Sequence, residues 1–221
     1  MDEKKFVGFK KEELGVKEYI KENLGKGRIS EVNIEYTPVG EKIIVATNKP
    51  GLVIGKRGEK INELTTVLKK RFKLDNPHIE IKDISVPVLD AQLVADSLAL
   101  ELERKGSLKF KLVAYKTLQE IMKAGALGAE IVMSGRLPSE RARTWRFSQG
   151  YLKKTGDPAK VVKRAEAQAK CTSGVVGIKT SILPPDAHIH DRIVVDDKIK
   201  HMIKIAPVEE KKMKAKKEKK E

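Results

Sequence analysis

The stretch Gly51-Leu52-Val53-Ile54-Gly55-Lys56-Arg57-Gly58-Glu59-Lys60-Ile61 constrains this chain more than any other, because an apolar run breaks there into a basic pair bracketed by glycines. Glycine has no Cβ, so Gly55 and Gly58 permit a tight turn and let a polyanion come close to the main chain. A helical pattern begins directly after Gly58. Its first amides lack intrahelical partners and sit at the positive end of the helix dipole, where phosphate oxygens find donors. The stretch reads as a phosphate clamp on Gly55, Lys56, Arg57, Gly58 and Lys60. Two glycines at this spacing also close ordinary turns, so the surroundings must decide.

Upstream, Val16, Tyr19, Ile20 and Leu24 fall at helical spacing and Gly25 and Gly27 stop the pattern, which predicts one amphipathic helix over about 11–24. Glu31 to Tyr36 alternates polar and apolar residues, Pro38-Val39-Gly40 turns, and Lys42 to Ala46 continues, as in a hairpin with one buried face. Pro50-Gly51 opens a short turn of helix through Ile54. After the glycines, Ile61, Leu64, Leu68 and Phe72 line one face of a helix whose other side carries Lys60, Lys69, Lys70 and Lys73. Asn76-Pro77 breaks the chain, and His78 to Lys82 alternates again as a third strand.

Beyond Pro87, Asp90 is placed to cap a helix with Ala91, Val94, Leu98 and Leu102 on one side, ending at Arg104-Lys105-Gly106. Asp90, Asp96, Glu101 and Glu103 make it a poor ligand for RNA, so it reads as a connector packed on one or both domains. A helix over 109–123 follows, in which Leu112, Tyr115 and Leu118 or Gln119 form one stripe and Lys109, Lys111 and Lys116 lie on others. Ala129 to Gly135 reads as a strand. The segment Arg136 to Arg146 holds Arg136, Arg141, Arg143 and Arg146, with Ser139 placed to cap a short helix; residues 147–153 fit a further strand and Gly156-Asp157-Pro158 a turn. Residues 159–170 fit two patterns, a helix by alanine content and a strand by alternation. Thr172-Ser173-Gly174 leads directly into the strand Val175 to Leu183, and a hairpin accounts for both halves, so strand is expected. Pro184-Pro185 ends the domain. The lysine-rich last residues, 209–221, carry too little apolar surface to order themselves.

Charge narrows the partner. Lys and Arg number 46 against 31 Asp and Glu, for a net +15, which points to a polyanion. The excess is concentrated: residues 104–164 carry fifteen basic and four acidic groups, whereas 74–103 carry one and seven. One cysteine, Cys171, excludes an intrachain disulfide or a Cys-x-x-Cys zinc ribbon and fits a reducing cytosol. The charged start Met1-Asp2-Glu3-Lys4-Lys5 is no secretory signal, and no apolar run reaches the roughly 18 residues of a membrane span, so no membrane partner is expected. His188 and His190, with Asp186 and Asp191, suggest a metal, yet no second ligand pair lies elsewhere to close a site, and they read as surface polar residues. No nucleophile, base and orienter constellation, P-loop or dinucleotide fingerprint occurs. No catalytic residue, metal or cofactor is expected. Trp145 among the arginines either stacks on a base or packs under the chain, and packing is the commoner fate of a lone tryptophan.

The order helix, strand, strand, short helix, G-x-x-G, helix, strand resembles a KH domain of type two. In that family the Gly55-Lys56-Arg57-Gly58 loop would grip a single-stranded sugar-phosphate backbone across about four nucleotides. The bases would lie on an apolar groove, here with Ile54 and Ile61. Behind it come Ser134-Gly135-Arg136-Leu137, Arg141-Ala142-Arg143-Thr144, Gly150-Tyr151, Gly156-Asp157-Pro158 and Gly174-Val175-Val176-Gly177-Ile178-Lys179. In this order they resemble the family of the third protein of the small ribosomal subunit, in its archaeal and eukaryotic branch, over residues 5–185.

The resemblance implies an α+β fold: an N-terminal type-two KH domain with a mixed three-stranded sheet and helices on one face, then a C-terminal α+β domain. The expected division is 1–16 as an extension and helix start, 17–87 as KH domain, 88–106 as connecting helix, 107–185 as second domain and 186–221 as an extension with a disordered tail. It implies a structural, non-enzymatic role on the cytoplasmic ribosome. The implied partners are small-subunit ribosomal RNA in the head, messenger RNA at the entry channel, and the tenth and fourteenth small-subunit proteins. In bacterial relatives basic groups on the first helix of the second domain line that entrance. By position Lys111 and Lys116 keep the charge here, but Leu112 and Tyr115 replace it. Arg136, Arg141, Arg143 and Arg146 are stronger candidates, because guanidinium forks bind phosphate oxygens in pairs. Two other readings are a nucleic-acid-cleaving enzyme with a lysine nucleophile and a free-standing KH regulator of messenger RNA. No lysine has an evident reason for a depressed pKa, and such a regulator would not be expected to carry the second domain.

Overall fold

A computed structural model describes residues 2–187, apart from Val39, Lys73 and Asp75, together with Ile189. The first sheet is built from the expected hairpin and third strand. β1 (Ile29–Thr37) pairs antiparallel with β2 (Gly40–Thr47), and β2 pairs in parallel with β3 (His78–Asp83), giving the order β1-β2-β3. A register irregularity between Ile29 and Val32 lets these two residues, three apart, both face the core. Three helices cover that one face: α1 (Asp2–Leu24), α2 (Pro50–Ile54) and α3 (Glu59–Phe72). Val16, Ile20 and Leu24 meet Val53, Leu64 and Leu68 over Ile29, Val32, Ile43 and Val45.

α1 begins at Asp2 rather than near residue 11. Apolar periodicity marks only the packed part of a helix, and Phe6, Val7, Phe9 and Leu14 are all exposed. What supports the early turns is local: Glu13 takes ion pairs from Lys10 at 2.6 Å and Lys17 at 2.7 Å, and Phe9 rests on Tyr36 with ring centroids 4.8 Å apart. The Lys10 and Lys17 ammonium groups hold the Glu13 carboxyl below the usual carboxylate range.

The second domain is a four-stranded antiparallel sheet with two helices on one face. Its elements are α4 (Ala91–Lys105), α5 (Phe110–Lys123), β4 (Gly128–Gly135), β5 (Arg143–Gly150), β6 (Lys163–Cys171) and β7 (Gly174–Leu183), with strand order β5-β4-β7-β6. The strand reading of the alanine-rich segment holds. Ala165, Ala167 and Ala169 are buried while Arg164, Glu166, Gln168 and Lys170 face out, and α4 packs on this strand. Alternation outweighs helix propensity because small side chains let a helix approach the sheet closely.

Two expectations in this domain fail. No helix forms after Ser139. The Ser139 hydroxyl donates to the Arg141 carbonyl at 3.4 Å instead of capping amides, and Arg143 to Gly150 pair with β4 residue by residue. The strand expected at 147–153 therefore starts earlier and stops at Gly150. Gly150 turns the chain out of the strand at φ +76°, and no side chain fits at this position, because a Cβ would lie 2.5 Å from the Leu127 carbonyl oxygen. The stripe assigned to α5 is also wrong: the helix buries Phe110, Val113, Ala114, Leu118 and Ile121, leaving Leu112 and Tyr115 at 62% and 57% exposure. Both sides of this helix carry apolar residues at helical spacing, so period alone could not choose between them.

α4 belongs to both domains. Its apolar side, Val94, Ala95, Leu98, Ala99 and Leu102, joins the second core, and the buried Thr180 hydroxyl donates to the Ala91 carbonyl at 2.8 Å. Two carboxylates, Asp90 and Asp96, hold the first domain. Asp90 caps the helix through the Gln92 amide at 3.0 Å and accepts a short hydrogen bond from the Ser30 hydroxyl. Asp96 accepts from the Gly27 amide at 2.9 Å. Lys26 reaches across to the Gln168 carbonyl at 3.0 Å. Asp90→Ala should lower unfolding stability by about 1–2 kcal/mol, since it removes a cap and strands the Ser30 hydroxyl, while Asp90→Asn keeps most of it. Urea unfolding of the three proteins measures this; equal midpoints would mean that the cap contributes nothing.

Candidate nucleic-acid interface

The glycine loop lies between α2 and α3. Gly55 and Gly58 have φ of +75° and +78°, and Arg57 between them is also left-handed at φ 55°. For a residue with a Cβ that conformation costs about 1–2 kcal/mol. Strain of this kind persists where the surroundings enforce it and is concentrated at binding sites. A Cβ on Gly55 would sit 2.8 Å from Lys60 Cγ, so the Lys60 stem lies against Gly55. At Gly58 nothing lies within 4 Å of that position. Lys56, Arg57 and Lys60 are exposed and make no ion pair with a carboxylate among the described residues. The loop thus presents three cations beside open backbone. One donor expected for phosphate is in use: the Glu59 amide bonds the Lys56 carbonyl. Ile54 is exposed and Ile61 half-buried at either end of the loop.

In the second domain the arginine-rich segment is a loop and a strand, and this divides its cations. Arg136, Arg141 and Arg143 are exposed at the β4–β5 end, without a carboxylate partner among the described residues. Trp145 packs rather than projects. It lies 5.4 Å from the Phe110 ring, and its Nε1 donates to the carbonyl of buried Leu137 at 3.0 Å, fastening the loop to β5. Lys111 Nζ stands 4.6 Å from the centre of the same indole, which brings α5 to this corner. Arg146 points to the other sheet face, where its Nε meets Glu130 at 2.8 Å and Lys154 meets the second oxygen at 2.5 Å. Glu130 is buried, so these two cations neutralise it. Lys116 pairs with Glu120 at 3.8 Å. The structure therefore gathers Lys111 with the loop arginines and assigns Arg146 and Lys116 acidic partners of their own. Nothing local in the sequence signalled Lys154, which reaches Glu130 only through sheet pairing.

Cys171 is half-buried with Sγ 3.9 Å from the Leu102 carbonyl, and burial, then the Glu103 charge, pushes its thiol pKa up. A protonated thiol is a poor nucleophile. Among the described residues no group of three His, Cys, Asp or Glu is placed to hold a metal, and no helix is long and apolar enough to cross a membrane. Lys73, His188, His190, Asp191 and the lysine-rich tail lie outside the described residues.

The mixed sheet, its three helices and the strained glycine loop define the first half as a KH domain, and the KH domain family model matches residues 15–88. The model for the C-terminal domain of ribosomal protein S3 matches residues 98–182. Small ribosomal subunit protein uS3 of Methanocaldococcus jannaschii is 41% identical over 92% of this chain and 98% of that protein. The uS3 of Methanococcus maripaludis strain C5 is 38% identical over 88% and 92%, and that of Haloarcula marismortui 37% over 86% and 62%. The chain belongs to the uS3 family of small ribosomal subunit proteins. Neither the enzyme nor the free-standing regulator gains support from these relatives.

Arg146→Ala should cost about 1–2 kcal/mol by leaving buried Glu130 with one cation. Alanine at Arg136, Arg141 or Arg143 should change stability by no more than about 0.5 kcal/mol. Thermal unfolding of the single variants separates the two groups. Cys171 should react with a disulfide reagent at pH 8 more slowly than a free thiol and recover normal reactivity in urea; a fast native reaction would contradict a raised pKa.

Proposed function

We propose that this protein is a structural constituent of the small ribosomal subunit, anchored on ribosomal RNA of the head by two basic sites. The glycine loop supplies one through Gly55, Lys56, Arg57, Gly58 and Lys60. The β4–β5 end supplies the other through Arg136, Arg141 and Arg143, with Lys111 beside them. The observation that carries the reading is the loop itself, three cations without carboxylate partners around backbone that stays open at Gly58. Binding then proceeds by exchange of condensed counterions for lysine and arginine, and affinity falls with salt.

The finer assignment puts α5 at the messenger entry channel, with the tenth and fourteenth small-subunit proteins as neighbours. Lys111 on α5 favours a phosphate-lined surface, and Lys116 adds to it only by exchanging its exposed pair with Glu120 for a phosphate. Exposed Leu112 and Tyr115 dilute that charge, so any part in unwinding structured messenger is small. The working division takes 17–87 as the KH domain and 107–185 as the second domain, joined through 88–106.

Gly58→Asp places a carboxylate where a phosphate docks and should weaken binding of single-stranded RNA at least about tenfold, near 1.4 kcal/mol. Gly58→Ala bears the same left-handed strain and should retain binding within about threefold. Equal affinities for all three proteins would remove the clamp. Arg136, Arg141 and Arg143 changed together to alanine should reduce the amount that co-sediments with small subunits after a high-salt wash.

A further inference from the structure

The two basic sites leave a third group of cations unused, and it lies in a cleft of about 750 Å³ where the domains meet. The turn after α1 contributes Lys26 and Arg28, the start of α2 contributes Lys49, and the second domain contributes Arg104 and Lys170. One lining carboxylate opposes them, Glu103, and it is already occupied: its Oε1 accepts the Lys170 amide at 2.9 Å and lies 4.0 Å from Lys26 Nζ. Arg28 is turned to the Leu24 carbonyl at 3.1 Å. Lys49, Arg104 and the Lys170 ammonium are exposed and have no carboxylate partner among the described residues.

The floor is not wholly polar. Leu52 and Leu100 line the cleft at 43% and 37% exposure. Cations around exposed apolar side chains match a nucleotide, whose phosphate is anionic and whose base has apolar faces. Position adds a second argument. Lys49 and Leu52 stand at the head of α2, whose other end opens into Gly55. At about 1.5 Å per residue the two sites are separated by about 9 Å along that helix.

We propose that the interdomain cleft is a second single-stranded RNA site, continuous with the glycine loop, which takes the nucleotides that leave the clamp. The inference rests on the RNA-binding reading of that loop. Lys49, Arg104 and Lys170 hold phosphates, and a base lies over Leu52 and Leu100. Because both domains supply cations, RNA in the cleft also holds them in their observed relation.

The test uses the full chain and two oligouridylates, one of about four nucleotides that fills the clamp and one of about twelve that reaches beyond it. The triple change Lys49→Glu, Arg104→Glu and Lys170→Glu is compared with a charge-matched triple, Lys4→Glu, Lys11→Glu and Lys123→Glu, after thermal melting shows both folded. The cleft triple should bind the longer RNA at least tenfold more weakly than the control triple does and reduce the salt slope by about 2, while both bind the shorter RNA alike. A 4-thiouridine strand should crosslink to residues 23–28, 49–52 or 100–104 as well as to the loop. Equal binding of the longer RNA by the two triples, or crosslinks confined to 55–60, would overturn the site. Displacement of the longer RNA by oligoglutamate of equal charge would overturn its assignment to RNA. Gly58→Asp is run alongside: if it leaves the shorter RNA unaffected, the clamp fails independently of the cleft.

Discussion

The arrangement of this protein depends on one helix that serves two domains with different chemistry. α4 gives its apolar side to the second sheet and its carboxylates to the first domain, through Asp90 with Ser30 and Asp96 with Gly27. Apolar burial is strong and undirected, whereas a carboxylate accepting an amide fixes distance and angle. The first effect makes the helix part of the second domain. The second fixes where the KH domain sits on it. Asp90 and Asp96, which would repel RNA, are thereby turned toward the first domain, while Lys56, Arg57, Arg136, Arg141 and Arg143 stay exposed.

A similar allocation runs through the basic residues. A net charge of +15 describes how many cations the chain has but not which are free. Arg146 and Lys154 are committed to Glu130, and Lys116 to Glu120. Arg57, Arg136, Arg141 and Arg143 are not. The loop at Gly55 to Gly58 accepts unfavourable backbone geometry at Arg57 to present its guanidinium group next to open main chain, a local cost that a stable three-helix core readily tolerates.

Much of this was legible in the sequence, and the failures have a common cause. Alternation located β1, β2, β3, β6 and β7, because a sheet with one buried face writes period two into the chain. Asp90 and Gly106 marked both ends of α4 through cap chemistry. Misreadings arose where burial and local pattern part company. The first turns of α1 are barely packed, and their apolar residues, Phe6, Val7 and Phe9, are exposed and form no buried stripe. On α5 two partly apolar sides competed, and which was buried depended on the sheet beneath. The arginine-rich segment looked helical through Ser139, but strand pairing with β4 and the bond from Trp145 to Leu137 decided otherwise. Of the candidate sites, the glycine loop was readable because its residues are consecutive. The Glu130 pairings and the interdomain cleft were not, since their members meet only through topology.

The hydrogen bonds from α4 to the turn at Gly27 and Ser30 have a mechanical consequence. They set the span between the glycine loop and the arginines at the β4–β5 end, so under the proposed RNA-binding role of both sites the protein would work as a caliper. A molecule with two anion sites at a set distance gains avidity only from an RNA that offers two phosphate tracts at the same distance. An unfolded RNA presents such pairs rarely, because its segments sample many separations. Under that proposal, a set spacing would convert contacts that ignore base sequence into selection for RNA that has already reached its folded shape.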